Sequence, residues 1–278
     1  MTAFIFLLIV ALALLIYAWQ IEPRRLTLTP VKIELAGTLP PTKILLLGDL
    51  HLGKNDRSRA EKIVGESLKR KPDAVCLLGD YANRHSDKDS MSPDEVAQIL
   101  AAFPRAGVPT FAVLGNHDAY IGRQDFAKAF RKVGIRVFAE KDTEEVTLGN
   151  GARMLFAGTL DPHSFSDIFD TGSVPVNTTG LPCVLLSHSP DVVPFLNPTV
   201  DLAFCGHTHG GQVRLPFVGA LVSSTKRVGR EYAYGLHTAE TGTRIFVTRG
   251  LGQSILPLRF CCPPEIVEVA LAGTEAKD

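Results

Sequence analysis

Six short apolar runs divide this chain, and five of them are followed by the same kind of residue. Residues 43–47 (KILLL), 74–78 (AVCLL), 110–114 (TFAVL), 154–157 (MLFA), 183–186 (CVLL) and 201–205 (DLAFC) are too short for ordinary helices and read as buried strands. Side chains that can bind a cation follow all but the fourth: Gly48-Asp49-Leu50-His51, Gly79-Asp80, Gly115-Asn116-His117-Asp118, Ser187-His188 and Gly206-His207-Thr208-His209. In an open α/β sheet the carboxyl ends of the strands line one crevice, so loops far apart in the chain can meet there. The glycines before these motifs are expected to let the chain leave each strand sharply.

Between the runs lie helical patterns. Val96, Ile99, Leu100 and Phe103 recur at helical spacing behind Ser92-Pro93-Asp94-Glu95, an N-cap serine, a first-turn proline and a capping-box glutamate. Ala60, Ile63, Val64 and Leu68 form a second stripe, and Phe126, Phe130 and Val133 a third. Strand alternating with helix predicts parallel pairing in the first half. Strands dominate from about residue 144 to a last one at 265–271, which predicts a second sheet. The expected fold is α/β, two packed mixed β-sheets flanked by helices, behind an N-terminal transmembrane helix. The expected division is an anchor at 1–22, a linker and first strand at 23–42, and one domain from 43 to 278.

The anchor is read from residues 3–19, all apolar, with Glu22, Pro23, Arg24 and Arg25 directly behind. With its flanks the run reaches the ~20 residues that span a bilayer. A cleavable signal peptide would need a positive n-region and a small-residue cleavage site, and neither is convincing here. The arginines after the run predict a single-pass protein of the inner membrane with its domain in the cytoplasm. Lys plus Arg equals Asp plus Glu at 29 each, so no polybasic argument for specific nucleic-acid binding exists. A hydrophobic content of 45% excludes a disordered chain. The five cysteines form no CxxC pattern, and Cys76, Cys183 and Cys205 fall inside strand runs as core thiols. No GxGxxG or GxxxxGK follows a strand.

A lone Asp or His at a strand end is usually a turn former. Seven ligand-type residues behind buried strands are different, because burying them without a cation would be costly. Carboxylate, imidazole and amide without thiolate suit Mn, Fe, Zn or Mg. His117, beside Asn116, is a candidate proton donor, with Asp118 to orient its ring.

The order DxH, GD, GNHD, a lone His and GHxH resembles the calcineurin-like metallophosphoesterases, from about residue 43 to the C-terminus. The stretch Gly206 to Gln212, the apolar N-terminus and Leu256-Pro257-Leu258-Arg259-Phe260 before Pro264-Glu265 are similar to a bacterial membrane-anchored branch. The resemblance implies that Asp49, His51, Asp80 and His209 hold one divalent ion, and that Asp80 bridges to a second held by Asn116, His188 and His207. Two metals, manganese foremost, would share a hydroxide that attacks phosphorus. His163 rivals His188 for the lone position but lies in a longer polar loop, as an exposed turn residue. His85 and His237 read as surface or core histidines. Lys54, Arg84 and Arg123 are candidates to meet substrate anions, and Gln212 to support the metal ligands.

The expected activity is a membrane-anchored phosphoesterase cutting phosphodiester or pyrophosphate bonds of a phosphate-ester substrate that is lipid-linked in one version. The alternatives are a UDP-diacylglucosamine diphosphatase of lipid A synthesis and, in a different class, a non-catalytic membrane scaffold on the same fold.

Overall fold

Alternate residues of each run face opposite sides of a sheet, so a run apolar at every position must be covered on both faces. The computed structural model, which describes residues 1–83 and 89–274, meets that demand with two sheets packed face to face. Arg84 and His85 lie outside the described residues.

The elements run α1 (Thr2–Ile16), β1 (Thr27–Ala36), β2 (Thr42–Leu47), α2 (Arg57–Lys69), β3 (Ala74–Leu77), α3 (Pro93–Leu100), α4 (Ala102–Arg105), β4 (Thr110–Ala112), α5 (Asn116–Lys132), β5 (Arg136–Val137), β6 (Asp142–Thr147) and β7 (Arg153–Gly158). They continue with β8 (Cys183–Ser187), β9 (Leu202–Cys205), β10 (Arg214–Leu215), β11 (Gly219–Ala220), β12 (Gly235–Thr238), β13 (Arg244–Val247) and β14 (Glu265–Thr274). One sheet has the order β1-β14-β2-β3-β4-β5 and the other β12-β13-β9-β8-β7-β6. β2 to β5 are mutually parallel, as are β7, β8, β9 and β13, with antiparallel pairings at β14·β2, β6·β7 and β12·β13.

Leu45, Leu47, Val75 and Leu77 face α2, α3 and α5, where Ile63, Val96, Phe126 and Phe130 are buried against them. The alternate residues Ile44, Leu46, Cys76 and Leu78 face the second sheet and meet Phe156, Val184, Leu186 and Phe204. Phe111 and Phe156 stack across the interface with ring centroids 4.0 Å apart. The outer face of the second sheet is covered by Phe169, Val174, Val192 and Leu196 from the connections before and after β8.

The capping box at Ser92 forms as expected: Ser92 Oγ accepts the Glu95 N–H and a Glu95 carboxylate oxygen accepts the Ser92 N–H. The stripe from Val96 to Phe103 nonetheless splits into α3 and α4, because Pro104 has no N–H to continue the ladder. β14 joins the first sheet, antiparallel to β2 and parallel to β1, instead of closing the second. Its partner β1, expected beside a linker, is thereby an edge strand of the first sheet.

Candidate metal centre

All five motif loops leave the carboxyl ends of parallel strands, three from the first sheet (β2, β3, β4) and two from the second (β8, β9). The crevice is therefore built between two sheets. The sharp exits fall on the functional residues themselves: Asp49, His51, Asp80, His207 and His209 all have positive φ, from 44° to 72°. Left-handed backbone costs a non-glycine residue roughly 1–2 kcal/mol and collects at functional sites. Of the preceding glycines only Gly79 has positive φ (89°). Gly115 serves close approach: a Cβ there would stand 2.2 Å from Asp80 Oδ1 and 2.7 Å from His188 Cε1. The expectation that the glycines make the turns is corrected accordingly.

Asp80 is the hub. Its Oδ2 lies 3.4 Å from His188 Nε2, 3.6 Å from His51 Nε2 and 3.9 Å from His117 Nε2, while Oδ1 accepts the His117 N–H at 2.8 Å. On one side His51 Nε2 and His209 Nε2 approach to 3.0 Å, with Asp49 Oδ1 4.0 Å from His209. On the other, Asn116 Oδ1 is 3.1 Å from His188 Nε2 and 3.0 Å from His207 Nδ1. Asp49, His51, Asp80, His188, His207 and His209 are all buried. The structure thus brings together all seven residues expected to bind metal, in two groups that share Asp80.

The donor chemistry fits divalent cations. His188 Nδ1 donates to the Leu78 carbonyl at 2.7 Å, and His207 Nε2 has the Ser224 carbonyl at 3.4 Å. Those partners assign the ring protons away from the centre and turn Nε2 of His188 and Nδ1 of His207 inward beside the Asn116 oxygen, as a cation requires. Burial lowers the His51 pKa to about 3 and the His207 pKa to about 4, and holds His209 well below the usual imidazole value, so all three are neutral. Burial raises Asp49 to about 7, with the Asp80 charge adding to it. Burial opposes charge on both Asp80 and His188. Their mutual attraction outweighs it, leaving Asp80 well below the usual carboxylate range and His188 well above the usual imidazole value. The proton on His188 supplies the positive charge that a metal would replace.

His117 is buried with its ring edge-on to His51, centroids 4.4 Å apart. Asp118 differs from expectation. Its Oδ2 accepts the N–H groups of Asp80 (2.8 Å) and Gly115 (2.9 Å), and Oδ1 accepts that of Tyr81 (2.9 Å). It ties two motif loops together through backbone instead of orienting His117, because position N3 of α5 aims a short carboxylate at amides. His163 is also corrected: it is half-buried, its ring 4.2 Å from that of His207 and its Nδ1 3.5 Å from Asp191. Gln212 fastens the loop at Ser254 and Leu256 with its side chain, and its backbone N–H donates to the His209 carbonyl at 3.0 Å. Lys54 is exposed, and Arg123 lies over the Phe165 ring at 5.4 Å. His237 is half-buried, its Nε2 3.1 Å from the Tyr234 carbonyl.

Sequence reasoning missed Arg259, whose fully buried guanidinium donates to the carbonyls of Arg249, Gly250, Gly252 and Cys262 and so shapes the loops behind Asp49. A lone cation inside an apolar stretch was its signal. Tyr81, which donates to the Val113 carbonyl at 2.6 Å and accepts the Gly79 N–H at 3.2 Å, carried no signal in the sequence.

Two mixed sheets with a carboxylate-imidazole-amide cluster at their shared carboxyl edge define a metal-dependent hydrolase. Residues 42–211 match the calcineurin-like phosphoesterases, and the chain belongs to that family. It is 31% identical to the phosphodiesterase YaeI of Escherichia coli, over 83% of this chain and 82% of that protein. An uncharacterized metallophosphoesterase of Aquifex aeolicus is 33% identical over 83% of this chain and 85% of its own. The UDP-2,3-diacylglucosamine pyrophosphatase LpxG of Chlamydia trachomatis is 27% identical over 93% of each. The protein is a metal-dependent phosphoric ester hydrolase.

Proposed function

We propose that this chain is a membrane-anchored phosphoesterase that cuts phosphodiester or pyrophosphate bonds in a lipid-linked substrate. The observation that carries the reading is the convergence of seven donor side chains on two foci that share Asp80. Asp49, His51, Asp80 and His209 would hold one ion, and Asp80, Asn116, His188 and His207 the other, with manganese foremost. Two such ions supply an activated water and neutralise charge on the phosphoryl group.

The chain's own residues do the rest. Left-handed backbone at the ligands and the Asp118 bonds to three amides hold the donors in place before substrate arrives. His117, at the first turn of α5, can donate to a phosphoryl oxygen or protonate the leaving oxygen. The helix N-terminus there favours an anion. Anchoring is supported by α1, in which no residue is buried, unlike a core helix of equal apolarity. Arg24 and Arg25 favour a cytoplasmic domain. The likeness to LpxG supports a lipid-linked substrate, UDP-diacylglucosamine being one version.

The test is full-length protein in detergent, assayed for bound metal and for hydrolysis of nucleotide, sugar-nucleotide and phospholipid esters with Mn, Mg, Zn and Fe. About two ions per chain and metal-dependent hydrolysis are expected. A protein that binds no metal and cuts nothing would be the scaffold alternative. For location, the intact N-terminus should sediment with membranes, and the domain should resist protease added outside cells.

A further inference from the structure

The apolar helical stretch does not leave the domain as a free tether. The Glu22 carboxylate, buried, accepts the backbone N–H groups of Cys261 and Cys262, and the Ala18 carbonyl accepts that of Arg259 at 2.9 Å. Tyr17 meets Phe260 edge-on, ring centroids 6.5 Å apart. The Cys262 thiol in turn contacts the carbonyl of His209, a residue of the metal centre, at 3.3 Å. Phe260 pairs with Val213, and the Gln212 side chain grips the backbone at Ser254 and Leu256. Residues 17–24, 212–222 and 252–262 are therefore one unit around the end of the apolar helix.

Two tips project from this unit. Phe217 is wholly exposed, followed by Val218, Leu221 and Val222, and Ile255 is 82% exposed beside Leu256. Both Phe217 and Ile255 have positive φ, 65° and 63°. A β-branched residue in that region is an outlier, and holding one there to present an apolar side chain to water gains nothing for folding. Contiguous apolar surface of this kind marks an interaction face. A cleft of about 490 Å³ lies in the same unit, lined by His51 of the metal centre at one part and by Trp19, Arg24, Ile255 and Leu256 at another.

We propose that the 213–222 hairpin and the 253–258 loop insert into the bilayer that α1 crosses, so that the cleft opens at the lipid surface and admits a lipid headgroup phosphate beside Trp19 and Arg24. The bilayer is the occupant because the tips are continuous with the end of the apolar helix. Trp19 and Arg24 there match the aromatic and basic residues that favour a membrane-water interface. This rests on the anchored, lipid-cutting reading and adds how the substrate is presented.

The test uses full-length protein in nanodiscs of phosphatidylethanolamine and phosphatidylglycerol containing an acyl-brominated phosphatidylcholine. Trp19 is the single tryptophan. In a Trp19→Phe background, Phe217→Trp and Ile255→Trp should each be quenched at least about twofold by the bromine, as interfacial insertion requires. Val176→Trp, exposed beside the amino ends of the strands, should not. Unquenched tips would overturn docking, whether the face is bare or covers a soluble partner. In an activity arm, Phe217→Asp with Val222→Asp should cut hydrolysis of phospholipid in the disc at least about tenfold, since the charges oppose insertion, and leave soluble bis(p-nitrophenyl) phosphate unaffected. Equal loss on both substrates, or none on either, would overturn the proposal. Quenching needs no turnover, so an inactive parent with quenched tips would sink the hydrolytic reading while supporting docking.

Discussion

The Nε2 atoms of His51 and His209 lie 3.0 Å apart although 158 positions separate the residues. Burial keeps both rings neutral, so each presents a ring nitrogen to the same point without a charge to repel its neighbour. A divalent cation is the ligand that uses both.

Replacing the shared residue should disable both foci. Asp80→Asn is expected to lower metal content and to reduce turnover by more than about 100-fold, beyond the range for residues that merely support ligands. His188→Ala should rank close to it, with His163→Ala well below. Metal analysis by mass spectrometry alongside turnover checks the order, and full activity of the Asp80 variant would end the two-metal reading.

Gly115→Ala places a methyl group 2.2 Å from Asp80 Oδ1, and the backbone N of Asp80 at 2.8 Å leaves no flexible neighbour to yield. Metal content and activity should both fall. Gly149→Ala, where nothing lies within 4 Å, is the control and should match the parent. Parental activity in the Gly115 variant would show that the loops adjust freely.

His117 and Asp118 should separate cleanly. His117→Ala is expected to keep its metals while losing about 10²–10⁴-fold in turnover, as for a lost acid or donor. The loss should shrink for nitrophenolate leaving groups if protonation is its main task. Asp118→Ala strands three buried amide N–H groups, at about 1–3 kcal/mol each, and should lower the melting midpoint by about 5 °C or more. Loss of metal from the His117 variant with an unchanged melt would place that residue among the ligands.

Metal uptake should depend on pH with a definite sign. Asp49, with a pKa raised to about 7, is protonated below that pH, and a metal must displace the proton. Affinity should fall by about tenfold per unit below pH 7 for that one proton. The His188 proton adds a further rise that continues above pH 7, since its pKa is held high. Chelator competition from pH 5.5 to 8.5 measures this, and a flat profile below pH 7 would refute it.

The strand runs, the helices behind Ser92 and through Phe126, and the donor residues just past the strands were legible in the chain because each is a local pattern. An apolar run demands cover on both faces, and a ligand placed just after it must sit at a sheet edge. The pairing of β14 with β2 and β1 was not legible, since the alternation of Glu265–Thr274 suits either sheet and only the shape left beside β2 selects one. Asp118 was misjudged for a related reason: sequence adjacency suggested His117, whereas the turn of α5 aims the carboxylate at amides from another strand. Glu22 read as a flank of the apolar run and Arg259 as one residue of the stretch Leu256 to Phe260 until the fold buried both against backbone. Sequence by itself determined which donor residues stand just past the strand ends and the order in which strands present them, because those depend on neighbours along the chain. Only the tertiary structure decided how Asp118 ties the loops around Asp80 and how the apolar helix joins the wall of the cleft, because hydrogen bonds between residues up to 240 positions apart have no trace in local pattern.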